Sequence, residues 1–194
     1  MAHATRPTHD VNRVRSAMRT IDAVLLCIPF ALIPGCRSPA SSAPHHASSA
    51  VVASDFDVLQ GDSWSGTLTY LDYSSGKTTT IRSTLQVTRV AEGSWTFAVG
   101  YNDEPHANAA DEVRLEQGGL AIRSGDSVEH VVGRTERTGH IEIVTEQPGE
   151  DNGTAAVIRR VRTIAPREYS LAKYVCPEGQ ETFFKRHEYR WARK

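Results

Sequence analysis

From about residue 64 onward the chain alternates apolar and polar residues with a period of two, and short turn signals interrupt the alternation at regular intervals. Trp95, Phe97, Val99 and Tyr101 fall on one side of their segment. Ile81, Leu85 and Val87 oppose Thr80, Arg82, Thr84, Gln86 and Thr88. Ile141 and Ile143 alternate with His140 and Glu142, and Phe183, Lys185, His187, Tyr189 and Trp191 oppose Phe184, Arg186, Glu188 and Arg190. Successive side chains of a strand point to opposite faces, so this pattern gives each strand one dry and one wet side. That is the mark of antiparallel sheets rather than parallel ones buried on both faces. Turn signals stand at Ser74-Ser75-Gly76, Glu92-Gly93, Gly118-Gly119, Ser124-Gly125-Asp126, Thr138-Gly139, Pro148-Gly149 and Asn152-Gly153. No stretch after residue 55 sustains a helical period. The expectation is an all-β domain of about ten short-linked strands. Closing such a sheet into an up-and-down barrel removes its edges most completely, with a two-sheet β-sandwich as the alternative.

The 194 residues before and within this pattern divide by composition. Residues 18–36 hold a basic start at Arg19, an apolar run from Ala23 to Ile33, and then Pro34-Gly35-Cys36. The run is about 11 residues, short of the roughly 20 that span a bilayer, and Pro29 interrupts it. It reads as a secretory signal, with residues 1–17 upstream of a second candidate start at Met18. Residues 37–54 (RSPASSAPHHASSAVVAS) are rich in Ser, Ala and Pro and read as a flexible spacer. The organisation expected is a signal over 1–35, an anchor cysteine and linker over 36–54, and one β-barrel domain over 55–194. Removing residues 1–36 takes four of the 22 basic and two of the 23 acidic residues, leaving a net charge of about −3. With no basic block in the domain, nucleic acid is not an expected partner.

The segment ending Leu32-Ile33-Pro34-Gly35-Cys36 resembles the lipobox of bacterial lipoproteins. That resemblance implies cleavage before Cys36 and lipidation of its thiol. It places the protein in the cell envelope, tethered to a membrane. Arg37 rather than Asp after the cysteine implies the periplasmic face of the outer membrane. Cys27 would leave with the signal, so Cys176 would form no internal disulfide. Without lipidation, a Cys36–Cys176 bridge is open in an oxidising compartment.

Gly61-Asp62-Ser63-Trp64-Ser65-Gly66, followed by Tyr70, is similar to the first strand of calycin-type barrels, the lipocalin-like, fatty-acid-binding and nitrobindin-like domains. The resemblance implies that Trp64, beside Gly66, plugs the barrel floor, with Arg190 or Arg193 from the last strand packed over it. The Trp-x-Gly spacing is nearer the nitrobindin-like form, whose members bind haem through a late histidine. The residues around His187 (FFKRHEYRW) do not match that site, so no cofactor is carried over.

Candidate ligand contacts are His187 with its face-mates Tyr189 and Trp191, and Trp95 and Tyr101 from an earlier strand. Asp103, Glu104 and His106 form no recognised metal set, and no metal is expected. Arg160 and Arg162 share a side with Ile158 and Ile164 and read as a charged outer face; Glu150-Asp151 reads as a solvated turn. No nucleophile elbow, zinc-protease motif or phosphate loop is present, so no catalytic residue is assigned. The function expected is non-catalytic: an envelope lipoprotein whose barrel binds a small apolar ligand or serves as an interaction module. An enzyme with a site at the barrel mouth is the alternative.

Overall fold

In the computed structural model, residues 50–61 and 64–193 are described here. Ten strands form one closed antiparallel barrel in which each strand pairs with its neighbours in sequence. They are β1 (Trp64–Asp72), β2 (Lys77–Ala91), β3 (Ser94–Tyr101), β4 (Ala109–Glu116), β5 (Ala121–Ser124), β6 (Ser127–Arg137), β7 (His140–Asp151), β8 (Thr154–Ile164), β9 (Glu168–Pro177) and β10 (Phe184–Arg193). The barrel closes by pairing β1 with β10, from Trp64 opposite Arg193 to Tyr70 opposite His187. The up-and-down barrel is therefore the architecture, and the sandwich alternative is excluded.

Two sequence readings of strand geometry are corrected. β7 continues through Pro148-Gly149 instead of turning there. Past Glu146 it pairs with β8 alone, so the N–H that Pro148 lacks falls on an edge and costs no ladder bond. In β10 the register shifts between Lys185 and His187. An extra residue at a bulge flips the alternation beyond it. Phe184, not Phe183 or Lys185, therefore continues the inner face, packing with Ala156, Ile158 and Val175.

The folded unit also begins earlier than composition implies. Val51 is buried and its N–H donates to the Gly119 carbonyl at 2.9 Å. A five-residue helix, α1 (Ala53–Asp57), follows and closes one end of the barrel. Such a helix is too short to show a period or to form alone, and tertiary contacts hold it. Phe56 is fully buried, 5.1 Å from Trp95 and 6.1 Å from Phe97 between ring centres. Asp55 accepts the Val52 N–H at 3.0 Å and two bonds from Arg134, at 2.7 and 2.6 Å. Trp95 Nε1 donates to Asp57 at 3.0 Å, and Trp64 Nε1 to the Leu59 carbonyl at 3.0 Å.

Asp55→Ala removes the anchor between this plug and the wall. Arg134 keeps Glu136 at 3.0 Å, which limits the loss. The expected cost is about 2 kcal/mol in urea unfolding, and a change indistinguishable from zero would show that Phe56 and the Trp64, Trp95 and Val51 bonds hold the plug without this ion pair.

Candidate functional site

The closed end is packed and the other end is hollow. At the floor, Trp64 is fully buried and the Arg193 guanidinium lies 4.4 Å from its ring centre. Of the two arginines the calycin resemblance offered, Arg193 takes this place. Arg190 is the incorrect one: it lies opposite Thr67, points outward with its side chain 71% exposed, and pairs with Glu188. The strand parity that puts Trp191 inside puts residue 193 inside and residue 190 outside. Gly66 lies directly opposite Trp191, and the seam leaves no room there for a side chain. Trp95 belongs to the floor with Phe56 and Asp57 and lines neither of the cavities described next.

Trp191 is sandwiched between Tyr169 and Tyr189, with ring centres 5.5 and 4.8 Å away. Above it an inner cavity of about 160 Å³ is bounded by Phe97, Leu171, Arg162 and Tyr189, among others. The Tyr101 and Tyr189 hydroxyls meet at 2.6 Å across the barrel and form a bar over this cavity. Burial first, and then this hydrogen bond, pushes the Tyr189 phenol well above its ordinary value.

Beyond the bar lies a mouth cavity of about 400 Å³. Leu68, Tyr70, Ile81 and Tyr101 line one side; His187, Lys173, Arg186 and Asp151 line the other. His187 packs edge-on against Tyr189, 5.6 Å between centres. Its pKa falls from 6.5 to about 4, because burial and then the positive charges of Lys173, Arg160 and Arg186 disfavour its protonated form. Its imidazole is therefore neutral at physiological pH. Asp151 receives a 2.9 Å bond from Lys173 and a bond from the Tyr73 hydroxyl, with Arg186 at 3.9 Å. Burial opposes its charge, but these partners outweigh burial and hold its carboxyl below the usual range. Arg186 also donates to the Leu71 carbonyl and stacks on Tyr73 at 4.0 Å.

The reading of Arg160 and Arg162 as an outer face is corrected. Both stand on the inner face, around Glu129, a fully buried carboxylate on β6. Arg162 binds Glu129 through two nitrogens, at 2.8 and 3.1 Å, and Thr145 donates to it at 2.6 Å. Arg160 Nη1 approaches the same carboxylate to 3.2 Å but lacks the alignment of a hydrogen bond. Asp151 is likewise part of the wall and not of a solvated turn, because β7 extends through it. Lys173, Asp151, Arg160 and Glu129 were missed as site residues. The signal that could have found them is charge at inward positions of strands whose other inward residues are apolar.

Asp103, Glu104 and His106 are exposed at the β3–β4 connection, where Asp103 pairs with Arg82 at 3.0 Å. Among the described residues no cluster of three metal-ligating side chains occurs, and no helix is long and apolar enough to cross a membrane. Cys176 is buried and disulfide-bonded, the outcome the sequence left open for a chain without lipidation. Cys36 lies outside the described residues.

Sealed floor, barred interior and open mouth define a closed ten-stranded barrel with an internal cavity at one end. No family model and no curated protein matches the chain. Among solved structures it is similar to Rv2717c from M. tuberculosis, with a TM-score of 0.50 and 14% identity, over 74% of this chain and 99% of that one. At that identity the likeness shows the fold alone.

Proposed function

We propose that the protein is a non-catalytic small-molecule-binding barrel whose site is the mouth cavity around His187. The observation that carries this reading is that the interior is packed at one end only. A barrel of this size can fill itself with side chains or hold one ligand, and about 400 Å³ lies within the range of ligand sites. An interaction module needs no such space. His187, Tyr101 and Tyr189 are the ligand contacts in this reading; Trp191 supports the chamber below, and Trp95 is a floor residue.

Native mass spectrometry of protein purified from its own host is expected to find a bound small molecule. Leu68→Trp, which fills the mouth, is expected to abolish retention while the melting temperature stays within a few degrees. A ligand retained equally by Leu68→Trp would place binding elsewhere and defeat the proposal.

A neutral imidazole facing an open cavity favours a second reading. Nitrobindin-like barrels, to which the first strand is similar, bind haem through a late histidine, and His187 has the donor chemistry for it. Haemin titration read by the Soret band, with His187→Phe beside the unaltered protein, decides this. A spectrum unchanged by the substitution removes it.

Tethering to the envelope through a lipidated Cys36 is proposed for the mature form, in which cleavage removes Cys27, lipidation occupies Cys36, and the Cys176 disulfide of the uncleaved chain is absent. Intact mass is decisive, because a thioether at Cys36 and a disulfide at Cys36 exclude one another. A Cys36→Ser variant that keeps its membrane association and differs in mass only by the exchange of sulfur for oxygen overturns the anchor.

A further inference from the structure

We propose that the mouth cavity selects a compact organic oxyanion, its charged group held by Lys173 and Arg186 and its apolar body laid against Leu68, Ile81 and Tyr101. This rests on the reading of the cavity as a ligand site and names the class of ligand.

Strand register places the cationic side chains in one row. Arg160 stands opposite Lys173, Lys173 opposite His187, and His187 opposite Tyr70, across four adjacent strands. All four are on the inner face. Neighbouring strands lie about 4.8 Å apart, so one small anion can reach two or three members of such a row. Lys173 and Arg186 would supply charge, and the His187 ring and Tyr70 hydroxyl can add neutral hydrogen bonds.

The charge balance points the same way. Two cations, Lys173 and Arg186, line the mouth with one wall carboxylate, Asp151, and one rim carboxylate, Glu104. Arg160 does not line the mouth; its Nη1 faces Glu129 at 3.2 Å. Asp151 is shared between Lys173 and Arg186. Glu104 stands at the exposed rim, where solvent screens it. An uncompensated charge in a partly closed cavity is costly, and an incoming anion offsets that cost. Burial is the main cause of the depressed His187 pKa, and the charges of Lys173, Arg160 and Arg186 add to it.

Shape limits the body of the ligand. The wall facing the cations is apolar at Leu68, Ile81 and Ala107, and the Tyr101–Tyr189 bar closes the way into the inner cavity. A short or aromatic body fits the mouth, whereas a long acyl chain needs the bar to open. Asp151 acts in this arrangement as an internal competitor, holding Lys173 until the ligand's oxyanion replaces it.

Isothermal titration of the full-length protein with benzoate, benzamide, benzylamine and decanoate tests the proposal. Benzoate is expected to bind saturably and about tenfold or more tightly than its neutral and cationic analogues. Lys173→Met should weaken benzoate by about tenfold or more, and Lys173→Arg should retain it. Asp151→Asn should tighten binding, a gain that loss of folding cannot imitate. Benzamide or benzylamine binding as well as benzoate overturns the anion class while leaving the cavity a ligand site. Decanoate binding more tightly than benzoate overturns the compact body. No saturable binding of any carboxylate from acetate to decanoate overturns the inference whole, and native mass spectrometry then shows separately whether the cavity holds anything else.

Discussion

Glu129→Leu is expected to destabilise the barrel by about 3–5 kcal/mol, because it leaves Arg162 buried with no counter-charge. Arg162 is 3% exposed and both its guanidinium bonds to Glu129 would be lost. A double variant, Glu129→Leu with Arg162→Met, is expected to recover most of that loss, since replacing a whole buried pair with apolar residues is often near neutral. Arg160 also loses its 3.2 Å contact with Glu129 in both the single and the double variant, so the recovery is incomplete. Urea unfolding of the two single variants and the double closes the cycle. Additive losses, with no coupling, would show that the cluster is not an energetic unit. The pH dependence has the matching sign. Burial raises the Glu129 pKa, but Arg162, Arg160 and Thr145 lower it more, so the net direction is down. A carboxyl depressed in the folded state contributes stability above its unfolded pKa and loses it as pH falls through the folded one. His187 acts in the same direction from a higher pH: held neutral in the fold to about pH 4, it weakens the fold as pH drops below its ordinary 6.5. Stability should therefore decline from about pH 6.5 downward, and steepen below about 4.5. His187→Phe should remove the upper part of that decline.

Period-two alternation made the barrel legible because the strands are long, regular and joined by turns that need glycine. At Gly93, Gly118 and Gly139 the backbone has positive φ, and each position lies at a turn read from the sequence. What the alternation could not show was any place where the period breaks. The bulge before His187 shifted Phe184 inward, and nothing in FFKRHEYRW marks it. Pro148 and Gly149 carry the residue types of a turn, yet the strand passes through them because only one neighbour pairs there. Periodicity placed Arg160 and Arg162 correctly on the side of Ile158 and Ile164. Their charge then led to the opposite assignment of inside and outside. A buried arginine is tolerated only beside a partner, and that partner, Glu129, is 33 residues away from Arg162 in sequence. The site was half legible for the same reason. Aromatic positions such as Tyr101 and Tyr189 follow from parity, whereas the ion pairs that tune the mouth depend on contacts across the barrel.

Gly66→Ala is expected to cost about 3 kcal/mol or more, a larger effect than overpacking usually has. A Cβ at this position would lie 1.8 Å from the Arg190 carbonyl oxygen and 2.8 Å from the Trp191 Cα. Both are backbone atoms, so no rotamer change relieves the contact. The last strand cannot retreat either. It is hydrogen-bonded to β9 on its far side, and Trp191 is wedged between Tyr169 and Tyr189. The alternative is for β1 and β10 to part, which opens the seam that closes the barrel. Gly133→Ala is the matched control, another strand glycine without positive φ, where the nearest atom to a new Cβ is Val144 Cβ at 3.9 Å. There the smaller unfolded-state entropy of alanine should leave stability within about 1 kcal/mol of the original, or raise it slightly. Urea unfolding measures both, and amide exchange along 64–70 and 187–193 reports whether the damage is confined to the seam. Equal losses at the two glycines would mean that backbone propensity, and not close approach, governs Gly66. Faster exchange at the seam, together with weaker ligand retention, would tie the floor glycine to the mouth through His187, which shares that seam with Tyr70.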